Sequence, residues 1–199
     1  MALYIATLTQ IKSELNLSDT TDDDRLTRLG EGLQGRFEAF LCRNLLRSTT
    51  AEEVFSGDVR ELHVSRWPIE SVAHVYVSAD QTWTAANELD ANLKEYIYDG
   101  AAGTLRYGYG SDPWPEGWQN IKVCYTGGYV SAADTPSGVQ SAMPAAIVGA
   151  FLMQWGFEWR NREHLGRQSA GAQGVSIALA PAQFLNAVKD ALAPFVRWT

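Results

Sequence analysis

Three histidines, His63, His74 and His164, are the side chains of this sequence whose ordinary pKa suits proton transfer near neutral pH. They lie far apart along the chain, so a metal cluster or a Ser-His-Asp set would have to be assembled wholly by tertiary structure. His63 and His74 fall in strand-like runs, where a histidine with ordinary hydrogen bonds is the simpler reading. The two cysteines, Cys42 and Cys124, have neither CxxC spacing nor a paired arrangement, which argues against a zinc site or a disulfide framework and for a reduced compartment. Asp22-Asp23-Asp24 lacks the alternating ligands and closing glutamate of an EF-hand, and three acids after Thr20-Thr21 suit the first turn of a helix. Walker A, HExxH and GxSxG patterns are missing, and no GxGxxG follows a strand. The expectation is a protein without an active site, without a metal and without a cofactor.

The aromatic residues ask for a different use. Trp83, Tyr96, Tyr98, Tyr107, Tyr109, Trp114 and Trp118 could stack on bases or sugars, but such platforms interleave with Lys and Arg. Between Trp83 and Trp118 only Lys94 and Arg106 are basic. Lys and Arg total 16 against 23 Asp and Glu, a net charge of −7 with the wrong sign for gripping nucleic acid or an anionic membrane. Core and protein-interface packing is the better account. One basic cluster, Arg160, Arg162 and Arg167, alternates with Glu158 and Glu163 as a solvated helix end does, and a phosphate-contact role stays open.

Stepwise along the chain, Thr7-Leu8-Thr9-Gln10 has capping-box form and predicts a helix over 8–15. Leu26, Leu29, Leu33, Phe37, Phe40 and Leu41 recur every three or four residues and predict a second helix over 21–43. From 51 to 129 the period shortens, and Val, Tyr, Ile and Thr runs separated by Gly, Asp, Asn and Pro predict strands at 52–55, 61–64, 72–78, 96–98, 104–107 and 121–125, with Gly57-Asp58 and Asp99-Gly100 as turns. A third helix over 141–164, with Ser141 as cap, is apolar nearly all round and is either enclosed or shared with a neighbouring subunit. Its apolar stretch is too short to span a membrane. The N-terminus shows no secretory signal pattern.

Residues 166–174, rich in Gly, Ser, Ala and Gln, read as a flexible tether. Beyond it Val175, Ile177 and Leu179 alternate as one edge strand. A last helix with Pro181 in its first turn carries Phe184, Leu185, Val188 and Leu192 on one face, and Pro194 ends it before Phe195 and Trp198. These nine apolar residues form the expected partner-binding arm, whose removal after Gly174 should spare the fold. The 46% hydrophobic and 20% charged composition suits one globular domain plus an appendage and excludes general disorder. The fold class is therefore α+β: a helical bundle with a β-rich insertion, a connector core over 1–165 and a hinged strand-and-helix arm over 166–199.

The order of these motifs resembles the head-tail connector (adaptor) proteins of long-tailed bacteriophages and gene transfer agents. The resemblance is carried by Thr7-Leu8-Thr9-Gln10-Ile11-Lys12, Asp22-Asp23-Asp24 with Leu26, Trp67-Pro68-Ile69-Glu70-Ser71-Val72, Tyr98-Asp99, Gly103-Thr104-Leu105, Trp114-Pro115, Ile121-Lys122-Val123, Tyr125-Thr126-Gly127-Gly128-Tyr129, Pro144-Ala145-Ala146-Ile147, Asn161-Arg162-Glu163 and Leu192-Ala193-Pro194-Phe195. Two features depart from the family pattern: 130–143 is longer, and Glu158 stands where an aromatic residue is usual. The resemblance implies a structural virion protein of the neck, assembled in the host cytoplasm, that forms a ring, about twelvefold, under the portal. It implies the portal, a downstream stopper or tail protein and further copies of the chain as partners, with DNA passing through unbound and no membrane involved. A neck stopper or tail-completion protein is the nearest alternative, and a small hydrolase with a cryptic site is the rival from another class.

Overall fold

The computed structural model describes residues 3–110, 112–161, 169–172, 175–178 and 183–197. The chain divides into two compact units, one made of Met1–Cys42, Ser131–Ala133 and Met143–Thr199, the other of Arg43–Val130 and Asp134–Ala142. The α+β expectation holds, with helices in the first unit and antiparallel sheets dominating the second.

In the helical unit, α1 (Leu8–Leu15) starts at the expected capping box: the Gln10 amide N–H donates to Thr7 Oγ1 at 3.2 Å and the Thr7 N–H donates to Gln10 Oε1 at 2.8 Å. Asn16, at φ 56°, stops it in the left-handed conformation that asparagine tolerates. Helix α2 (Asp23–Leu41) is shorter than 21–43, because Cys42 turns left-handed at φ 52° and Arg43 already belongs to the other unit. Helix α3 (Ala145–Arg160) begins four residues later than expected. Ser141 is no cap; it pairs in a strand, and Pro144 disfavours helical backbone at Met143. At the far end, the Asn161 side chain donates to the Phe157 carbonyl at 2.9 Å.

Helix α4 (Asn186–Leu192) also starts later than expected, with Leu185 extended at its N-cap, and continues as a 3-10 turn over Ala193–Phe195. Pro194 thus sits at the opening of that turn, where its missing N–H costs nothing, and the α-helix has ended before it at Leu192, as expected. The core joins all four helices through Ile11, Leu33, Phe37, Phe151, Val188 and Leu192, each at most 2% exposed. Gln34, fully buried, accepts from the Tyr4 and Ile5 N–H groups at 2.6 and 3.1 Å and so fixes the N-terminal segment.

The second unit is built on two three-stranded antiparallel sheets. One has the order β1 (Ser48–Phe55), β6 (Ile121–Gly127), β3 (Ile69–Val77); the other has the order β2 (Glu61–His63), β5 (Thr104–Tyr107), β4 (Tyr96–Asp99). The central strand β6 alternates strictly, burying Ile121, Val123 and Tyr125, which share one cluster with Ala51, Ile69 and Val75 of its own sheet and Leu62, Tyr96 and Leu105 of the other. Trp114, 1% exposed, closes that cluster with its indole N–H on the Leu105 carbonyl. A short parallel pair, β7 (Tyr129–Val130) with β8 (Ser141–Ala142), was not foreseen from sequence.

The tether expectation is corrected in part. Ser169–Ala172 forms a strand, β9, paired antiparallel with β10 (Val175–Ala178), so small residues read as flexible linker take up a hairpin ladder. The rest of the expected tether, 166–168 and 173–174, lies outside the described residues, as do Leu179, Pro181 and Trp198.

Candidate interaction surfaces

Among the described residues, those singled out for chemistry do not converge. His63 is exposed at the end of β2, and His74 on β3 meets Glu88 Oε1 through Nδ1 at 2.6 Å while stacking on Tyr76. His164 lies outside the described residues. Burial pushes the Cys124 thiol up, which weakens it as a nucleophile, and Cys42 is an exposed helix C-cap. Among the described residues no three His, Cys, Asp or Glu side chains are grouped as a metal site would need. The Asp22-Asp23-Asp24 run is a helix start, with Asp23 and Asp24 in the first turn and the Lys12 ammonium 2.8 Å from Asp23. Among the described residues no helix is long and apolar enough to cross a membrane.

Two of the motifs behind the family resemblance, at 67–72 and 125–129, meet at one end of the β6 sheet. Gly127 lies so close to the Trp67-Pro68 segment that a Cβ there would sit 2.7 Å from the Arg66 carbonyl oxygen and 2.9 Å from that of Pro68. Gly128, at φ 100°, donates to the same Pro68 carbonyl. Arg43 stacks on the Trp67 ring at 3.2 Å and donates to the Trp67 carbonyl, and Arg47 grips Glu70 with two 2.7 Å bonds. The Tyr125 hydroxyl donates to Glu53, whose carboxylate also takes the Ser65 N–H and hydroxyl. These two motifs, with Arg43, Arg47, Glu53 and Ser65, build a junction of the second unit.

That network has a pH signature. Desolvation, followed by the neighbouring Glu53 carboxylate, raises the Tyr125 phenol well above its ordinary value. A group with a raised folded pKa gives stability that is whole below the unfolded value and fades as pH rises through the folded one. Unfolding midpoints should therefore fall above about pH 10, and Tyr125→Phe should flatten that fall. Denaturant titrations between pH 8 and 11 measure it; an identical alkaline slope in the variant would remove Tyr125 as its source.

Of the nine residues expected to bind a partner, the structure packs several into their own unit. Val188 and Leu192 are fully buried, and Phe184 meets the edges of Phe37 and Phe40 at 5.1 and 5.4 Å, with the Arg36 guanidinium 5.0 Å above its ring. The Leu185 N–H donates at 2.9 Å to Gln154, a side chain 1% exposed in mid α3. Gln154 in turn donates to Glu158, and both Glu158 oxygens accept from Arg36 at 2.8 and 3.0 Å. The departure at Glu158 thus has a local reason: the acid anchors the arginine that covers Phe184. Phe195 is half-buried, while Val175 and Ile177 lie in β10.

The aromatic set of the second unit splits between core and surface. Tyr96 and Trp114 are buried, whereas Tyr98, Tyr109 and Trp118 are 45%, 76% and 75% exposed. Tyr109 lies beneath the Lys94 ammonium at 5.8 Å. Trp118 has no such cover and is held by its loop: the fully enclosed Asn120 donates to the Pro115 carbonyl at 2.9 Å and accepts from the Gly57 N–H at 3.0 Å, and the Gly57 N–H also reaches the Gly117 carbonyl at 3.0 Å. Ser56 Oγ accepts from the Gln119 N–H, and the Gln81 amide donates to the Trp118 carbonyl at 3.4 Å. No sequence signal separates Trp118 from Trp114, since both follow the same Pro- and Gly-rich pattern.

No protein-family model matches the chain, and no curated protein matches its sequence. Solved structures share its fold. A chain of the neck of an empty gene transfer agent (GTA) particle computed with C6 symmetry superposes with a TM-score of 0.55 at 12% identity, over 98% of this chain and 91% of that one. A chain of the virion of a native GTA particle gives 0.56 at 13%, over 100% and 94%. A chain of the neck of a native GTA particle computed with C12 symmetry gives 0.53 at 12%, over 100% and 96%. The likeness is one of fold, and it runs through both units.

Proposed function

We propose that this chain is a head-to-tail adaptor, a structural virion protein that forms a ring under the portal, joins it to the next tail component and lines the DNA exit path. The observation that carries the reading is the end-to-end fold likeness to GTA neck chains, with 91% or more of each chain covered and no large domain left over on either side. The C12 symmetry of one of those necks supports about twelve copies around one axis.

In this reading the portal-facing surface includes Val175 and Ile177 of β10, with Leu179, Phe195 and Trp198 nearby in sequence. A hairpin ladder offers an edge to which a partner strand can be added. The net charge of −7 supports a path that lets the duplex slide, because each phosphate-binding cation would add affinity. Purified protein should show no salt-sensitive DNA binding at physiological ionic strength.

The test is incubation of the purified chain with portal-bearing, DNA-filled heads that carry no other neck protein. An adaptor binds them directly and in many copies per portal, visible by electron microscopy. A stopper or tail-completion protein would bind only after another neck protein had been added, and a single copy or no binding would defeat the ring reading.

A further inference from the structure

We propose that Trp118 is an anchor that inserts into an apolar slot, rimmed by Lys and Arg, on a different protein chain of the same particle. Trp118 is 75% exposed, yet its loop is among the most constrained parts of the second unit. The loop is tied to residues on either side of Gly57 and to the 78–83 turn: the Ser78 N–H donates to the Asn120 carbonyl at 2.8 Å, and the Gln119 N–H donates to Ser56. Gly57 is so close that a Cβ would fall 1.7 Å from the Pro115 carbonyl oxygen, and one on Gly117 would fall 2.6 Å from Asn120 Cγ. A tryptophan held out on such a support loses little conformational entropy on docking, which is how a few aromatic anchors come to dominate an interface. The backbone ties make no demand on the indole, so the ring is free to serve as a contact.

Charge selects the occupant. Each of the three tied segments carries an exposed acid, Asp58, Asp80 and Glu116, against the single cation Arg60. Ser78 and Thr82 hydroxyls and the Thr82 N–H hold the Asp80 carboxyl down to about 2, so that charge persists at any physiological pH. Val59, next to Asp58 in the chain, is 41% exposed. Exposed acids on all three segments that meet at the Trp118 loop repel phosphate, which argues against DNA as the occupant. A second copy of this chain is the occupant the test must separate from it, because the ring reading brings copies together whatever their net charge. The complement of these acids is a slot on another protein that is apolar at its base and basic at its rim.

The inference rests on the neck reading only for where the partner is sought. The test replaces Trp118 with the photo-crosslinker benzoylphenylalanine in the full chain, expressed with all other particle components, and maps the linked peptide by mass spectrometry. The expected result is one dominant adduct to a different protein, at a segment with Lys or Arg beside apolar residues. In a Glu116→Lys background the yield should fall several-fold at low salt and recover part of that difference at high salt, as a rim charge does. Trp118→Ala should keep the wild-type melting temperature, since the exposed indole contributes little to the fold. Adducts mainly to DNA, to a second copy of the chain, or to nothing would overturn the proposal. Immunoblotting of purified particles for the unmodified chain is read separately: the chain in particles without an adduct sinks the anchor and spares the neck reading, and an adduct without the chain in particles does the reverse.

Discussion

Phe151→Asp should leave the helical unit largely unfolded at 25 °C. Phe151 is fully buried in the middle of α3 and meets Phe37 edge-on at 5.5 Å, so removing the ring alone costs about 3–5 kcal/mol. The aspartate adds a carboxylate with no cation beside it, and such a group stays charged only at a cost of several kcal/mol more. Against a total stability of about 5–15 kcal/mol, little folded population remains. Met153→Asp, on the same helix but 49% exposed, should stay within about 1 kcal/mol of wild type. Far-UV circular dichroism with urea titration reads both; equal midpoints for the two variants would mean that α3 is not enclosed by its own unit. The contrast also divides the two uses open to an all-round apolar helix. Ile147, Phe151, Trp155 and Trp159 are buried, and Met153 stays exposed.

Where a sequence signal is local and periodic, it reached the structure nearly intact. Thr7 and Gln10 fixed the start of α1, and the Ile, Val and Tyr run at 121–125 marked a strand, though not its central place in the sheet, because both signals act within a few residues. The β-strand edges shifted where pairing depends on distant residues: β1 starts at Ser48 because it reaches Gly127 across the ladder, a partner that no local window contains. The pair β7 and β8 is two residues long and joins positions a dozen apart, too short to leave a period. Gly171 and its small neighbours misled in the other direction, since composition records backbone freedom and not whether a second strand is there to pair with. The functional surfaces were the least legible part. Phe184 and Trp118 are both aromatic residues beside turns, and only tertiary contacts make one a plug against α2 and the other an exposed knob.

Ending the chain at Ala182 should cost the helical unit about 5 kcal/mol, and not spare it as a detachable arm would. The deletion removes Val188 and Leu192, each fully buried and each worth about 1.5–3 kcal/mol of apolar burial. It also removes Phe184, whose edge contacts with Phe37 and Phe40 add about 0.5–1.5 kcal/mol apiece. Gln154, enclosed in α3, loses the Leu185 N–H and keeps only Glu158 of the hydrogen-bond partners described above. Urea denaturation of the shortened chain should show a midpoint lowered by a large fraction of the total, and an unchanged midpoint would mean that 183–197 contributes nothing to the fold. Loss of portal binding by such a truncation would therefore report unfolding as readily as a lost contact. Deleting 169–178 while keeping 183–197 separates the two, because it removes the hairpin and leaves Phe184, Val188 and Leu192 in the chain. If that variant keeps the wild-type midpoint and still binds portal-bearing heads at full strength, the docking surface is not the hairpin.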